Sequence, residues 1–362
     1  MRVTFLSWRD TGHPDGGGSE EYIEHIAGRL AGRGHEVTIC CAAYVGAAAE
    51  ETRDGVRFRR RGGRLTVYLR GLAFVTLGRG RRSDAVVEVV NGIPFGAGLL
   101  RRGRTVSLVH HLHREQWRMI YPGWRGRLGW GIERTALRLY RGLPYLTVSH
   151  ATEADLVALG LPAASVHVVP NGAERRPQRP ADASSLTLCT LSRVVPHKRL
   201  EHAVDVVLML APRWPGLRLR VIGAGWWEPE LRRYVAEQGA GDLVDFCGRV
   251  SADERDALLA SSSVMVLPSV REGWGLAVIE AAWQGTPTVA YRSAGGVTES
   301  IRDEVTGLLA ETPTELAEAV ARLLDDPELQ ERMSGACRDW ASTFDWDRAT
   351  DEVERLLAER AG

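Results

Sequence analysis

The chain has 362 residues, too many for one ordinary hydrophobic core, so two domains of roughly 150 to 200 residues are expected. Its 44% hydrophobic and 25% charged residues are typical of a globular protein, and a formal net charge of zero argues against nucleic-acid binding through a basic surface. The opening "MRVTFLSW" predicts a strand rather than a signal peptide, and no apolar run is long enough to span a membrane, so we expect a cytoplasmic protein.

Strand-like runs alternate with helix-like runs along the whole chain, as is typical of parallel α/β sheets with crossover helices. Strands are predicted at 3–7, 36–41, 85–90, 105–109, 146–149 and 166–169 in the first half, and at 186–191, 217–222, 244–247, 264–267 and 288–291 in the second. The stretch 174–185 contains two prolines and no periodicity, and predicts a linker. The sequence therefore describes two doubly wound domains, whose ligands are expected beyond the carboxyl ends of the strands.

Arginines cluster between Arg53 and Arg104, in "RFRRRGGRL" at 57–65, "GRGRR" at 78–82 and "RRGR" at 101–104. One interpretation is a solvated face in an arginine-rich chain. The alternative is a site for an anionic acceptor or an anionic membrane surface. The region is therefore a candidate for peripheral association with the inner face of a membrane.

A glycine-rich loop, "DGGGSEEY", follows the first predicted strand and opens a helix. Gly16, Gly17 and Gly18 allow a ligand to approach the backbone closely, and the N–H groups of a helix start favour phosphate. The loop does not match G-x-G-x-x-G, and an ordinary strand-to-helix turn has the same appearance. It is a candidate phosphate site.

The only lysine of the chain, Lys198, lies in "LSRVVPHKRL", where a predicted strand gives way to a helix. This places Arg193 and Lys198 near the carboxyl edge of the second sheet. A guanidinium can grip two phosphate oxygens at once, whereas an ammonium is a compact point charge that can follow a moving one. The pair predicts a phosphate site, and a solvent-exposed lysine at a helix start is the alternative.

Two glutamates lie eight residues apart in "REGWGLAVIEAAW". Glu272 is in a predicted loop, and Glu280 is about one turn into a helix that begins near Leu276. Both carboxylates can approach one ligand, toward which the loop N–H groups also point. Because Glu280 lies in an apolar stretch, it is expected to need polar partners such as ligand hydroxyls.

Three histidines follow the fourth predicted strand in "LVHHLHREQW": His110, His111 and His113. A zinc site that also uses Glu115 is conceivable, but adjacent residues diverge on an extended chain, so no metal is expected. A structural cluster of histidines is a further alternative.

Taken together, these motifs resemble those of glycosyltransferase family 4, the retaining glycosyltransferases of the GT-B fold. The matching segments are "GGSE" at 17–20, "VVPNGAE" at 168–174, "SRVVPHK" at 192–198, "VIGAG" at 221–225, "VDFCGRV" at 244–250, "EGWGLAVIE" at 272–280 and "SAGGVTESIRDEVTGLL" at 293–309. Trp274 replaces the commoner phenylalanine, which should alter packing beside the sugar without removing the carboxylates.

The resemblance implies an α/β fold of two tandem Rossmann-like doubly wound domains with an interdomain cleft. Residues 1–175 would form the acceptor-binding domain and residues 185–344 the nucleotide-sugar-binding domain. Residues 345–362 would form a helix that crosses back onto the first domain.

The resemblance also implies roles for individual residues. Arg193 and Lys198 would hold the diphosphate of the donor with the backbone of Gly17 and Gly18, and Glu272 would contact the donor sugar. Glu280 would bind the ribose, the backbone around Arg249 and Val250 the base, and His113, or alternatively His110, would lie near the reacting sugar and the acceptor. The residues expected at the donor are Gly17, Gly18, Arg193, Lys198, Arg249, Val250, Glu272, Gly273, Trp274, Gly275, Leu276 and Glu280, and those expected to be catalytic are His113, Glu272, Arg193 and Lys198.

The implied function is retaining transfer of a sugar from a nucleotide diphosphate sugar to an acceptor hydroxyl on a glycan, lipid or natural product, without metal or another cofactor. The alternatives are a related sugar-nucleotide epimerase and a catalytically silent nucleotide-binding protein. A phosphorylase is disfavoured, because no second lysine is available to anchor pyridoxal phosphate.

Overall fold

The computed structural model describes residues 1–179 and 186–361, which form two compact units. The first unit combines Met1–Gly172 with the C-terminal stretch from Trp346, and the second is Ala173–Asp345. The last six residues of the predicted linker, 180–185, lie outside the described residues.

The described residues contain two sheets, one in each unit. The first unit contains β1 Arg2–Leu6, β2 Glu36–Cys41, β3 Glu50–Arg53, β4 Val56–Arg60, β5 Ala85–Val89, β6 Thr105–Val109, β7 Tyr145–Thr147 and β8 Val166–Val168. The second contains β9 Thr187–Leu191, β10 Arg218–Ile222, β11 Val244–Gly248, β12 Val264–Leu267, β13 Thr288–Tyr291 and β14 Gly307–Ala310.

Helices lie between the strands and after the last strand, β14. They are α1 Gly18–Gly32, α2 Thr66–Thr76, α3 Ala97–Leu100, α4 Arg114–Ile120, α5 Trp124–Leu139, α6 His150–Ala158, α7 Leu200–Leu210, α8 Glu228–Glu237, α9 Ala252–Ala260, α10 Leu276–Trp283, α11 Val297–Ser300, α12 Pro313–Asp325, α13 Pro327–Ser342 and α14 Trp346–Ala361. No helix among the described residues is both long and apolar enough to span a bilayer.

The order of the strands defines where a ligand can bind in each unit. The first sheet runs β3-β4-β2-β1-β5-β6-β7-β8 and is parallel except for β3, and the second runs β11-β10-β9-β12-β13-β14 and is parallel throughout. The direction of winding reverses between β1 and β5 in the first sheet and between β9 and β12 in the second. Loops at the carboxyl ends of these strands lie at the switch points, where doubly wound sheets bind ligands.

The last helix belongs to the first unit, where α14 packs against α1. Trp346 is buried, with its ring edge-on to Tyr22 at 5.7 Å. Ion pairs along the same seam join Arg33 to Glu354 at 2.6 Å and Arg29 to Asp347 at 3.1 Å.

Every strand predicted from the sequence is present with bounds that differ by at most two residues. Three short strands were not predicted: β3, β4 and β14. The arginine run at 57–65 is not the uniformly solvated face of the first interpretation. Its first part forms β4, in which arginines alternate with buried Val56 and Phe58, and Arg60 is itself buried.

Candidate functional site

The lysine of the chain lies at the switch point of the second sheet. After β9 the backbone passes Arg193 and makes a single 3-10 turn, Pro196–Lys198, and the loop after β12 carries Glu272 to the same place. Lys198 Nζ donates a hydrogen bond to Glu272 Oε1 at 2.5 Å. The two side chains are 14% and 13% exposed, so this ion pair remains accessible to a ligand.

Backbone hydrogen bonds fix the turn that carries Lys198. The Lys198 N–H donates to the Val195 carbonyl at 3.0 Å, and the Val270 N–H of the neighbouring loop donates to the His197 carbonyl at 2.9 Å. Because the loops after β9 and β12 are bonded to each other, the ammonium and the carboxylate are held together by the backbone as well as by their charges.

The loop from Glu272 to Gly275 is held by the segment that follows β13. Glu272 N–H donates to the Ala294 carbonyl at 2.8 Å, and Gly296 N–H donates to the Glu272 carbonyl at 3.2 Å. A Cβ on Gly296 would lie only 2.0 Å from the carbonyl oxygen of Gly273, so this close approach requires glycine. Gly275 has a φ of +100° and turns the chain into α10, which begins at Leu276.

The tryptophan that replaces the commoner phenylalanine has a packing role. Trp274 is buried, and its ring lies edge-on to Phe344 at 4.7 Å; Trp340 also lies edge-on to Phe344, at 4.8 Å. The side chain of Trp274 thus packs in the interior of the second unit. Of the contacts expected between Trp274 and the donor, only those made by its backbone are therefore compatible with this position.

The second glutamate is also paired. Arg255 Nη1 on α9 donates to Glu280 Oε1 on α10, and Arg255 Nη2 lies 2.9 Å from Asp256, which in turn pairs with Arg176 at 2.5 Å. Burial raises the pKa of Glu280 above its ordinary value, and the charge of Arg255 opposes that rise. The expected polar partner is therefore an arginine, which sequence reasoning missed because it lies 25 residues away on another helix.

The remaining residues expected at the donor lie at the same edge of this sheet. Arg193 follows β9 and is partly buried, and Arg249 and Val250 follow β11. The Gly223 N–H donates to the Gly248 carbonyl at 2.8 Å, which joins the loops after β10 and β11.

In the first unit, buried ion pairs shape the glycine-rich loop. Arg9 lies 3.2 Å from Glu20, and Arg60 lies 2.6 Å from Asp10, with all four side chains at most 6% exposed. The Gly17 N–H donates to Glu20 Oε2 at 2.8 Å. In this structure a side chain of the protein therefore accepts the Gly17 N–H that was expected to meet phosphate, and Gly18 is the first residue of α1.

The two histidines considered for the acceptor side have different surroundings. His110 is buried against the ring of Tyr22, and burial lowers its pKa to about 4. His113 is 20% exposed at the start of α4, and its Nδ1 lies 3.1 Å from Oε1 of the fully buried Glu133. Glu133 also accepts hydrogen bonds from the His113 N–H at 3.2 Å and from Trp117 Nε1 at 2.7 Å. His113 is therefore the oriented and accessible histidine of the pair.

The described residues contain no group of three or more His, Cys, Asp or Glu side chains arranged to hold a metal ion. The histidines considered as zinc ligands bond to different partners: His111 to Gln116, and His113 to Glu133.

Two doubly wound units, with a cation and carboxylates gathered at the switch point of the second, define a glycosyltransferase of the GT-B class. The family model "Glycosyl transferase 4-like domain" matches residues 17–172, and "Glycosyl transferases group 1" matches residues 173–340. The chain belongs to glycosyltransferase family 4 and is a glycosyltransferase.

Among known proteins, the chain is similar to the GDP-mannose-dependent alpha-(1-6)-phosphatidylinositol monomannoside mannosyltransferase of Mycobacterium tuberculosis. The two are 28% identical over 380 aligned positions that cover 95% of each chain. The fold of the present chain is similar to that of sucrose-phosphate synthase from Thermosynechococcus elongatus, with a TM-score of 0.84, 20% identity and 98% coverage of both chains. Anabaena HepE, solved in complex with UDP-glucose, has a TM-score of 0.77, 18% identity and 99% coverage of both chains.

Proposed function

We propose that this glycosyltransferase moves a sugar from a nucleoside diphosphate sugar to an acceptor hydroxyl, with retention of configuration and without a metal ion. The observation that carries the proposal is the contact between Lys198 and Glu272. In such a donor the sugar is bonded directly to the β-phosphate. A group that holds the phosphate and a group that holds sugar hydroxyls must therefore be neighbours, as this ammonium and carboxylate are.

The proposed chemistry needs stabilisation of the departing diphosphate. Negative charge develops on the phosphate oxygens as the bond to the sugar breaks, and fixed positive groups that are already in place lower the barrier. Arg193 and Lys198 would supply this charge, together with the backbone N–H groups at the start of α10 after Gly275. In this proposal, the two side-chain cations and the N-terminus of α10 stabilise the charge of the diphosphate, as a divalent ion does in other phosphate sites.

The nucleoside half of the donor is assigned to the loops beside this pair. Glu280 would accept hydrogen bonds from the ribose hydroxyls, and Arg255 favours its ionised form, which accepts but does not donate. The backbone at Arg249 and Val250 would contact the base. The second unit is thus the proposed donor-binding unit.

The first unit is proposed to bind the acceptor, with His113 facing the reaction. A carboxylate beside Nδ1 favours the tautomer that carries its proton there, which leaves Nε2 as a hydrogen-bond acceptor for a hydroxyl. Glu133 is a positioning residue in this account, because it acts on His113 and not on the substrate. The backbone of Gly17 and Gly18 would approach the diphosphate; for its N–H to take part, Gly17 has to release Glu20.

The names of the relatives suggest which donors to test first. One relative is GDP-mannose-dependent and acts on a phosphatidylinositol mannoside, and a structural neighbour was solved with UDP-glucose. A lipid acceptor agrees with the arginine-rich region 53–104, for which we retain peripheral membrane association as a proposal.

A panel of nucleotide sugars with UDP, GDP, ADP and dTDP leaving groups tests the proposal in the presence of EDTA. The readout is release of the nucleoside diphosphate, either to water or to an added acceptor, and nuclear magnetic resonance gives the anomeric configuration of the product. We expect one donor class to turn over with retention. Binding without turnover of any donor would favour the silent alternative, and activity that EDTA removes and a divalent ion restores would overturn the metal-free account.

A further inference from the structure

The first unit contains a cavity of about 440 Å³ at the arginine-rich region. Helix α2 forms one wall and strands β2 and β4 the other. Four arginines line the cavity, Arg59, Arg61, Arg70 and Arg79, and Val67 and Phe74 contribute apolar surface. The volume lies within the range of about 300 to 1,000 Å³ that small-molecule sites occupy.

The protein balances only part of the charge inside this cavity. None of the described lining residues is an aspartate or glutamate. Arg61 pairs at the rim with Glu50 at 3.0 Å, while Arg59 lies over the ring of Phe74 at 4.6 Å. Within the described part of the chain, Arg59, Arg70 and Arg79 form no ion pair with a carboxylate.

The neighbouring arginine shows that this imbalance is local. Arg60 is the last residue of β4, between Arg59 and Arg61 in the chain; its side chain alternates with that of Arg59 to the opposite face of the sheet and pairs with both Asp10 and Glu51. The whole chain has as many acidic as basic side chains, 46 of each. A concave surface with four guanidinium groups and no carboxylate in its lining is therefore complementary to an anion from outside the protein.

We propose that this cavity binds a phosphate group carried by a ligand. Guanidinium groups arranged on both walls can each bond two oxygens, which suits a tetrahedral phosphate better than a planar carboxylate that offers only two. The lining of the cavity includes Cys41 at the carboxyl end of β2, and β2 is the neighbour of β1, which the glycine-rich loop follows. That the ligand is the acceptor of the sugar rests on the proposed function.

Two sources can supply the phosphate, a lipid headgroup or a small phosphorylated molecule. Leu65, Leu69 and Leu77 on and beside α2 are between 70% and 83% exposed. Exposed leucines among arginines are typical of a helix that rests on an anionic lipid surface. A lipid phosphate is therefore included as one arm of the test.

The test compares two double variants that remove equal charge from neighbouring exposed positions. Arg70→Ala/Arg79→Ala alters the cavity, whereas Arg81→Ala/Arg82→Ala removes two exposed arginines outside its lining. Calorimetry with glycerol 3-phosphate measures the soluble arm, and co-sedimentation with phosphatidylglycerol vesicles, against phosphatidylcholine vesicles, measures the lipid arm. We expect the cavity pair to weaken binding in at least one arm about tenfold, and the control pair less than about twofold.

A third variant, Ala73→Trp, fills the cavity from the exposed face of α2 and keeps all four arginines, so it should also weaken binding. Equal losses in the two double variants would show diffuse surface charge and overturn the proposal, as would wild-type protein that binds neither glycerol 3-phosphate nor the anionic vesicles. Stabilisation by nucleoside diphosphates, measured on the same variants, should be unchanged. If nucleoside diphosphates did not stabilise even the wild-type protein, that result would count against the proposed function but would not affect the conclusion about the cavity.

Discussion

The glycine-rich loop of the first unit and the Lys198 turn of the second occupy equivalent positions, each after the first strand of its sheet, yet they use charge differently. In the first unit Arg9, Glu20, Asp10 and Arg60 are paired and almost fully buried. In the second, Lys198, Glu272 and Glu280 are paired but remain 13% to 18% exposed. Buried charges of the first kind fix the path of a loop, whereas exposed pairs of the second kind can exchange partners with a ligand.

This contrast predicts that charge removal will damage stability in the first unit and ligand handling in the second. A buried ion pair contributes little beyond a hydrophobic replacement, but loss of one member leaves an unpaired charge in a medium that solvates it badly. A partly exposed pair suffers less from such a loss, because water can replace the partner.

The largest expected effect is on stability. Arg60→Ala leaves the carboxylate of Asp10 buried without its partner, and should lower the free energy of unfolding by about 3 to 5 kcal/mol. The matched control is Arg61→Ala, which breaks the exposed pair with Glu50 and should cost no more than about 1 kcal/mol. Urea denaturation measures both. Similar values for the two variants would remove the distinction between the loops, and the double variant Asp10→Leu/Arg60→Met should recover most of the loss.

Next in size is the effect of Lys198→Ala on turnover. Loss of the ammonium should reduce donor turnover roughly 100- to 1000-fold, as loss of one preorganised charge-stabilising group does elsewhere. The melting temperature should stay close to that of the wild type. Lys198→Arg keeps the charge and loses its compactness, so it should retain an intermediate rate. Near-normal turnover of Lys198→Ala would remove its phosphate role.

A pH titration addresses the first unit again. Burial lowers the pKa of His110 from 6.5 to about 4, so the fold favours the neutral ring. Its contribution to stability is complete above pH 6.5 and is lost as the pH falls toward 4, which amounts to about 2 kcal/mol between pH 7 and pH 5. Urea denaturation of wild-type protein and of His110→Gln at pH 7 and pH 5 isolates the contribution of His110 to the pH dependence of the free energy of unfolding. Equal pH dependence in the two proteins would show that His110 is not responsible.

The smallest predicted effect concerns the ribose. Glu280→Ala should weaken nucleoside diphosphate binding about tenfold. The fold should persist, because Arg255 retains Asp256 as its partner. The matched control changes the ligand and not the protein. A 2′,3′-dideoxynucleoside diphosphate lacks the ribose hydroxyls and should bind wild-type protein and Glu280→Ala equally. A loss of the same size for both ligands would place Glu280 away from the ribose.

Sequence reasoning identified the strands that are buried on both faces, since runs such as "TVSLV" and "VMVL" are rich in β-branched and other apolar residues and contain no charge. It missed β4, because "VRFRR" alternates buried and charged residues and was interpreted by its charge. It missed β14, because "GLLA" has no β-branched residue.

In the site, local motifs predicted which side chains carry chemistry but not which side chains hold them. The five-residue spacing of Arg193 and Lys198 and the eight-residue spacing of Glu272 and Glu280 can be found by inspection of the sequence. Glu133 and Arg255 cannot, because they reach His113 and Glu280 from separate helices, and only the three-dimensional packing brings them together.

The assignment of α14 to the first unit has a consequence for synthesis on the ribosome. The second unit is an insertion between two parts of the first, so the surface of α1 that Trp346 covers stays open while the whole second unit is being translated. The unit that emerges first is therefore completed last, and a nascent chain that stops before Trp346 exposes apolar surface that chaperones recognise.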